Sequence, residues 1–146
     1  MAELVREIMI DATPETIWPF LTDPGKHVEW DGTVAEIDPR PGGIYRVLVR
    51  GEYQSAGEYV EVVPMKKVVY TFGWEQEGHP IPPGSTTVEI TLQPEGDKTR
   101  VRLVHRGLPD DAVEDHGGGW AHYLQRLAVR AAGGDPGPDS GPKGDN

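Results

Sequence analysis

Between residues 33 and 106 the chain is a series of short runs of alternating apolar and polar residues, divided by glycine and proline, and this series limits the fold more than any other feature. The runs are 33–37, 43–50, 52–63, 67–74, 85–92 and 99–106. Six strands joined by short connections predict an antiparallel meander, because parallel neighbours would need long crossovers. Period-two alternation sends Val68, Tyr70, Phe72 and Trp74 to one face, with Val88, Ile90 and Leu92, and Val101, Leu103 and His105. Thr87, Glu89, Thr91, Arg100 and Arg102 fall on the opposite parity. Such a sheet has one apolar and one solvated side and needs a cover on the apolar side alone.

The cover lies just downstream. Over 111–132, Val113, Trp120, Leu124, Leu127 and Ala131 recur at intervals of three, four and seven, the stripe of an amphipathic helix. Gly117-Gly118-Gly119 interrupts it, and each interior glycine costs about 0.5–1 kcal/mol relative to alanine. Either the regular helix begins near Gly119, or the glycines let the backbone approach something closely.

Upstream, residues 5–10 alternate as a first strand that ends at Asp11. Thr13-Pro14-Glu15 reads as an N-cap, a proline at the first helical position and an acid in the first turn. That helix is short, limited by Pro19 and by Asp23-Pro24-Gly25, and it buries Ile17, Trp18 and Leu21. A second helical turn covers 26–29. The expected class is therefore α+β: a curved antiparallel sheet of about seven strands wrapped round a long C-terminal helix, with two short helices after the first strand.

Residues 1–132 form one domain, and 133–146, rich in Gly, Pro and Asp with no apolar anchor, are expected to be a disordered tail. With 146 residues the chain can bury a substantial core. A formal charge of −10 repels nucleic-acid phosphates and anionic headgroups, so neither nucleic acid nor membrane insertion is expected. The absence of cysteine excludes disulfides, thiol nucleophiles and thiolate metal sites, and it suits a reducing cytoplasm. The charged N-terminus is unlike a signal peptide, so a cytoplasmic location is expected.

Several stretches, taken in order, resemble a known family. They are Ala12-Thr13-Pro14-Glu15-Thr16-Ile17-Trp18, Leu21-Thr22-Asp23-Pro24, Trp30, Asp38-Pro39-Arg40-Pro41-Gly42-Gly43, Gly57-Glu58-Tyr59, Tyr70-Thr71-Phe72-Gly73-Trp74, Gly84-Ser85-Thr86, His105-Arg106-Gly107-Leu108-Pro109 and His116-Gly117-Gly118-Gly119-Trp120. The chain resembles the SRPBCC (START-related, birch-pollen-allergen-like) superfamily and, within it, the group similar to the activator of heat-shock-protein 90 ATPase. The resemblance implies a helix-grip fold with a cavity between sheet and long helix. It implies less about chemistry, since members bind lipids, hormones or polyketides, and a few catalyse ring closure or hydrolysis.

With that fold in mind, Trp30, Tyr70, Trp74, Trp120 and Tyr123 are candidate cavity walls, although aromatics at strand or helix spacing also suit a plain core. Their rings offer flat apolar surface, and Trp N–H or Tyr O–H groups can orient a polar group of the ligand. His105 and His116 are expected near the cavity mouth. Two histidines without an acidic third ligand do not make a zinc site, so no metal and no cofactor are expected. His105 is the candidate general acid or base, but no partnered nucleophile accompanies it. Asp110, Asp111, Glu114 and Asp115 suit the positive end of the last helix, and Arg40 suits an ion pair in its turn.

Three functions follow. The first is binding of a small apolar or amphipathic ligand in the cavity. The second is a chaperone-cofactor-like interaction domain with a chaperone partner, and the third an enzyme resembling a polyketide cyclase or a hydrolase acting on an aromatic substrate. Edge strands and an acidic surface leave a monomer or a homodimer open.

Overall fold

The computed structural model describes residues 2–139. Strand β1 spans Ala2–Ile10, helices α1 and α2 span Pro14–Thr22 and Pro24–His27, and six strands follow: β2 Val34–Ile37, β3 Ile44–Val49, β4 Tyr53–Val63, β5 Lys67–Trp74, β6 Thr86–Glu95 and β7 Lys98–Leu108. A 3-10 turn at Asp110–Ala112 leads into helix α3, Val113–Ala131. The seven strands form one antiparallel sheet in the order β1-β7-β6-β5-β4-β3-β2, so the meander from β2 to β7 is closed by β1 on the far side of β7. This is the covered meander expected from the alternation, in the helix-grip arrangement that the resemblance implies.

The caps explain the short helices. Thr13 accepts from Thr16 N–H at 3.4 Å and Pro14 occupies the first helical position, where its missing N–H breaks no bond. Pro19 does not stop α1 at once; the helix runs on to Thr22, with Phe20 added to the buried set of Ile17, Trp18 and Leu21. Asp23 ends α1 by donating its N–H to Pro19 O and starts α2 by accepting from Gly25 N–H. The second turn therefore begins at Pro24, two residues earlier than the sequence reading placed it.

The sheet curves through β4, where pairing with β5 shifts between Tyr59 and Glu61, and where Gly57 lies so close to Thr71 O that any Cβ would overlap it. Val68, Tyr70, Phe72, Val88, Ile90, Leu92, Val101, Leu103 and His105 are all buried on the concave side. On the solvated side, Arg100 and Arg102 reach Glu7, Arg100 also reaches Glu95, and Arg106 bridges Glu3 and Glu89.

Helix α3 fills the concave face with Trp120, Tyr123, Leu124, Leu127 and Ala131. It runs unbroken through Gly117-Gly118-Gly119, so the helix does not begin at Gly119. Gly117 is instead where the backbone comes close to β1: a Cβ there would overlap the Arg6 guanidinium and lie 3.3 Å from Leu4 Cδ1.

The residues after α3 depart from the expectation of an unanchored tail. Residues 133–139 fold back along the helix and are tied to it by hydrogen bonds. Arg130 donates to Gly134 O at 3.2 Å and Arg126 to Gly137 O at 3.0 Å, while the Asp139 carboxylate accepts from Tyr123 O–H at 2.6 Å and lies 2.9 Å from His122 Nε2. The remainder of the expected tail, 140–146, lies outside the described residues.

Candidate functional site

A cavity of about 780 Å³ lies between the sheet and the first turns of α3. Its apolar wall is aromatic: Phe72 and Trp74 from β5, Tyr45 from β3, Tyr53 from β4, and Trp120 and Tyr123 from α3. Strand parity places Phe72 and Trp74 on one side, and a spacing of three residues places Trp120 and Tyr123 on one helix face. Gly118 and Gly119 complete the helix side, and a Cβ on either would meet no atom within 4 Å. The glycine run thus serves two purposes: Gly117 admits Arg6, and its two neighbours leave volume open.

Of the seven predicted lining residues, the structure brings Trp74, His116, Trp120 and Tyr123 to the cavity. Trp30 does not line it; it is 1% exposed, gives its indole N–H to Phe20 O at 2.8 Å and packs against His27. Tyr70 lies behind Tyr45, stacked on it at a centroid distance of 4.0 Å. His105 is entirely buried beneath Trp120 and Phe72.

The histidines hold the indoles. Trp120 Nε1–H donates to His105 Nδ1 at 3.0 Å, and Thr86 Oγ1 donates to Phe72 O at 2.7 Å. Because the single Thr86 hydroxyl proton is used there, its oxygen accepts from His105 Nε2–H at 2.8 Å. His105 is therefore the neutral Nε2–H tautomer with both nitrogens occupied. Burial, and secondarily His116, push its pKa down to about 3. This is a relay inside the core and not a poised general base. His116 repeats the device at the cavity wall: Nε2 accepts from Trp74 Nε1–H at 3.2 Å, so Nδ1–H donates to Ala112 O at 3.1 Å, and burial lowers its pKa.

One consequence corrects the sequence reading of the aromatics. The N–H groups of Trp74 and Trp120 are committed to protein partners, as is the Tyr123 hydroxyl to Asp139, so these side chains present ring surface to the cavity and not hydrogen-bonding tips.

Polar groups in the cavity come instead from residues that the sequence reading did not single out: Arg6, Asp31, Arg50, Gln76 and His79. Asp31 is the most unusual. It is 6% exposed, and its pKa is raised to about 7, first by burial and then by the Asp139 charge, against the opposing charge of Arg126. No periodicity marks it, since it sits in the turn after α2. Among the described residues no group of three or more His, Asp or Glu side chains is placed to hold a metal ion.

The fold agrees with comparisons to known proteins. A family profile described as Activator of Hsp90 ATPase homolog 1-like protein matches residues 11–132. The solution structure of an AHSA1-like protein from Rhizobium etli is similar at 45% identity, with a TM-score of 0.75 over 95% of this chain and 87% of that one. An Aha1 dimer from Colwellia psychrerythraea (20% identity, TM-score 0.78, 92% and 98% covered) and an HSP90 activator from Plasmodium falciparum (18%, 0.74, 89% and 96%) are similar in fold alone. Comparison with curated proteins gave no match.

Proposed function

The chain belongs to the Activator of Hsp90 ATPase homolog 1-like family, and from that premise we propose that it binds a small amphipathic ligand with an aromatic or similarly flat apolar body in the cavity under α3. The observation that carries this reading is the pairing of an aromatic wall with a helix face stripped of side chains. Trp74 and Trp120 are held in place by His116 and His105, and Gly118 and Gly119 opposite keep the space open at a cost to helix stability. A packed core of this size would fill that volume, because each unfilled cavity weakens the fold. A wall pinned by its own hydrogen bonds is also preorganised, so little ordering cost remains for binding.

The enzymatic reading that used His105 has little support, since both ring nitrogens are occupied and the residue has no exposure. The test of the binding reading is thermal unfolding against fatty acids, sterols, flavonoids and aromatic polyketides. A ligand present at 100 times its dissociation constant adds about 2.7 kcal/mol, which raises the midpoint by several degrees. No shift across that panel would count against the proposal.

A further inference from the structure

The cavity is lined by a carboxyl group that has no hydrogen-bond partner among the described residues. The Asp31 backbone is held by His27, whose carbonyl accepts its N–H and whose Nδ1–H donates to its carbonyl, but among the described residues its carboxyl oxygens receive no hydrogen bond and no ion pair. A side chain 94% removed from solvent would normally find a donor in the protein, because a buried acceptor left unmade is costly. Asp31 belongs to the cavity lining.

The groups that face Asp31 narrow what can settle there. Tyr45 from β3 and Tyr70 from β5 feel its charge, as does Tyr123 from α3. Asp139, from the segment that folds back along α3, adds a second negative charge. Arg126 of α3 is the nearby cation, but its guanidinium is turned to Trp30 O and Gly137 O. His27 of α2 is held neutral by burial, with its pKa lowered to about 4. Arg50, which follows β3, also lines the cavity, with its guanidinium over the Tyr53 ring at 5.4 Å from the centroid. Asp31 has the Asp139 charge nearby and shares the cavity lining with the rings of Tyr45, Tyr53 and Tyr123, with Glu114 and Asp115, and with Arg6 and Arg50, in a protein of net charge −10. Ring faces and carboxylates both favour a cation.

We infer that Asp31 is the polar anchor of the cavity and that the ligand it selects carries a protonated amine beside its aromatic body. The inference rests on the proposed cavity binding. The ammonium group donates to the Asp31 carboxylate, offsets the repulsion between Asp31 and Asp139, and lies against the tyrosine rings. Burial and Asp139 keep Asp31 of the empty site mostly protonated below pH 7, so binding a cation there expels that proton.

The test compares tyramine with 4-ethylphenol, which shares the phenol ring but lacks the amine, by calorimetry on the wild-type protein and on Asp31→Asn. Tyramine is expected to bind more tightly than 4-ethylphenol. Its advantage should grow about tenfold from pH 6 to pH 8, as the ionised fraction of a group titrating near 7 rises from roughly a tenth to nine-tenths. In Asp31→Asn the advantage and its pH dependence should vanish. Equal affinities in the wild type, or a tyramine advantage that survives in Asp31→Asn, would overturn the anchor while leaving the cavity reading in place. Binding of neither compound would overturn both. Should Asp31→Asn not fold, carboxyl 13C titration of the wild type decides: the Asp31 midpoint falls when tyramine saturates the protein and stays put with 4-ethylphenol, and an unmoved midpoint with bound tyramine contradicts the anchor.

Discussion

The indole N–H of Trp120 donates to Nδ1 of His105 at 3.0 Å, so one of the principal walls of the cavity is fixed from behind by a histidine with no exposure of its own. His105 passes that constraint through Thr86 to the carbonyl of Phe72, another wall residue. Replacing His105 by Leu removes the acceptor of Trp120 and leaves Thr86 short of a donor. Two buried polar groups lose a partner, each at about 1–3 kcal/mol, so urea denaturation should show a loss above about 2 kcal/mol. A loss below about 0.5 kcal/mol would contradict the relay.

His105, together with the buried His27, sets a pH dependence of stability. His105 and His27 have folded pKa values of about 3 and about 4, below the ordinary 6.5, so the stability they give is present above 6.5 and is lost as pH falls. Asp31 acts oppositely. Its folded value of about 7 lies above the ordinary 3.8, so its contribution is present below 3.8 and is lost as pH rises towards 7. Near pH 5 unfolding takes up two protons at the histidines and releases one at Asp31. These three groups together give a slope of about 1.4 kcal/mol per pH unit, with stability falling on acidification. In Asp31→Asn the opposing proton is gone, and the slope should roughly double. An unchanged slope would mean that Asp31 is ionised in the folded protein near pH 5.

The three adjacent glycines should respond differently to alanine. At Gly118 and Gly119 the new methyl meets open space, so each substitution should raise stability by about 0.5–1 kcal/mol through helix propensity. At Gly117 the methyl displaces the end of the Arg6 side chain and crowds Leu4 Cδ1 at 3.3 Å, so the same change should gain less than at either neighbour. Thermal unfolding of the three variants checks the pattern, and a gain at Gly117→Ala equal to those at Gly118 and Gly119 would contradict the close approach of α3 to β1.

The helix is held on the sheet chiefly by its apolar stripe. Leu124 and Leu127 are 2% and 0% exposed, and alanine at either should cost about 2–5 kcal/mol. Losses below about 0.5 kcal/mol at both positions would contradict the packing of α3.

How far the sequence disclosed all this depends on the kind of interaction. Strand parity and helix spacing are local, and they led to the sheet, to α3 and to Trp74 and Trp120 on the concave side, whereas Tyr123 lay outside the helical stripe that the spacing marked. Burial depth is not local. Tyr70 has the same parity as Phe72 and Trp74, yet Tyr45 from another strand stands in front of it, and Trp30 is drawn to Phe20 O by a bond spanning ten residues. His105 had the right parity for the cavity but was covered by Trp120 from a helix that starts eight residues later. Asp31 carried no pattern at all, since its properties come from burial and from the charges of Asp139 and Arg126 on other elements. The return of 133–139 along α3 was also hidden, because it is fastened by backbone carbonyls and one carboxylate where the reading looked for apolar anchors.

The central claim, that a ligand enters between the sheet and α3, is tested most directly by the four tryptophan indole N–H resonances, from Trp18, Trp30, Trp74 and Trp120, in 1H–15N spectra. Titration with 2-naphthol, a fatty acid and a flavonoid should move the Trp74 and Trp120 signals for at least one compound, since these rings form the wall. Trp18 and Trp30, packed in the core under α1 and α2, should stay in place. Movement of Trp18 and Trp30 to the same extent, or no movement of any indole with all three compounds, would contradict the account.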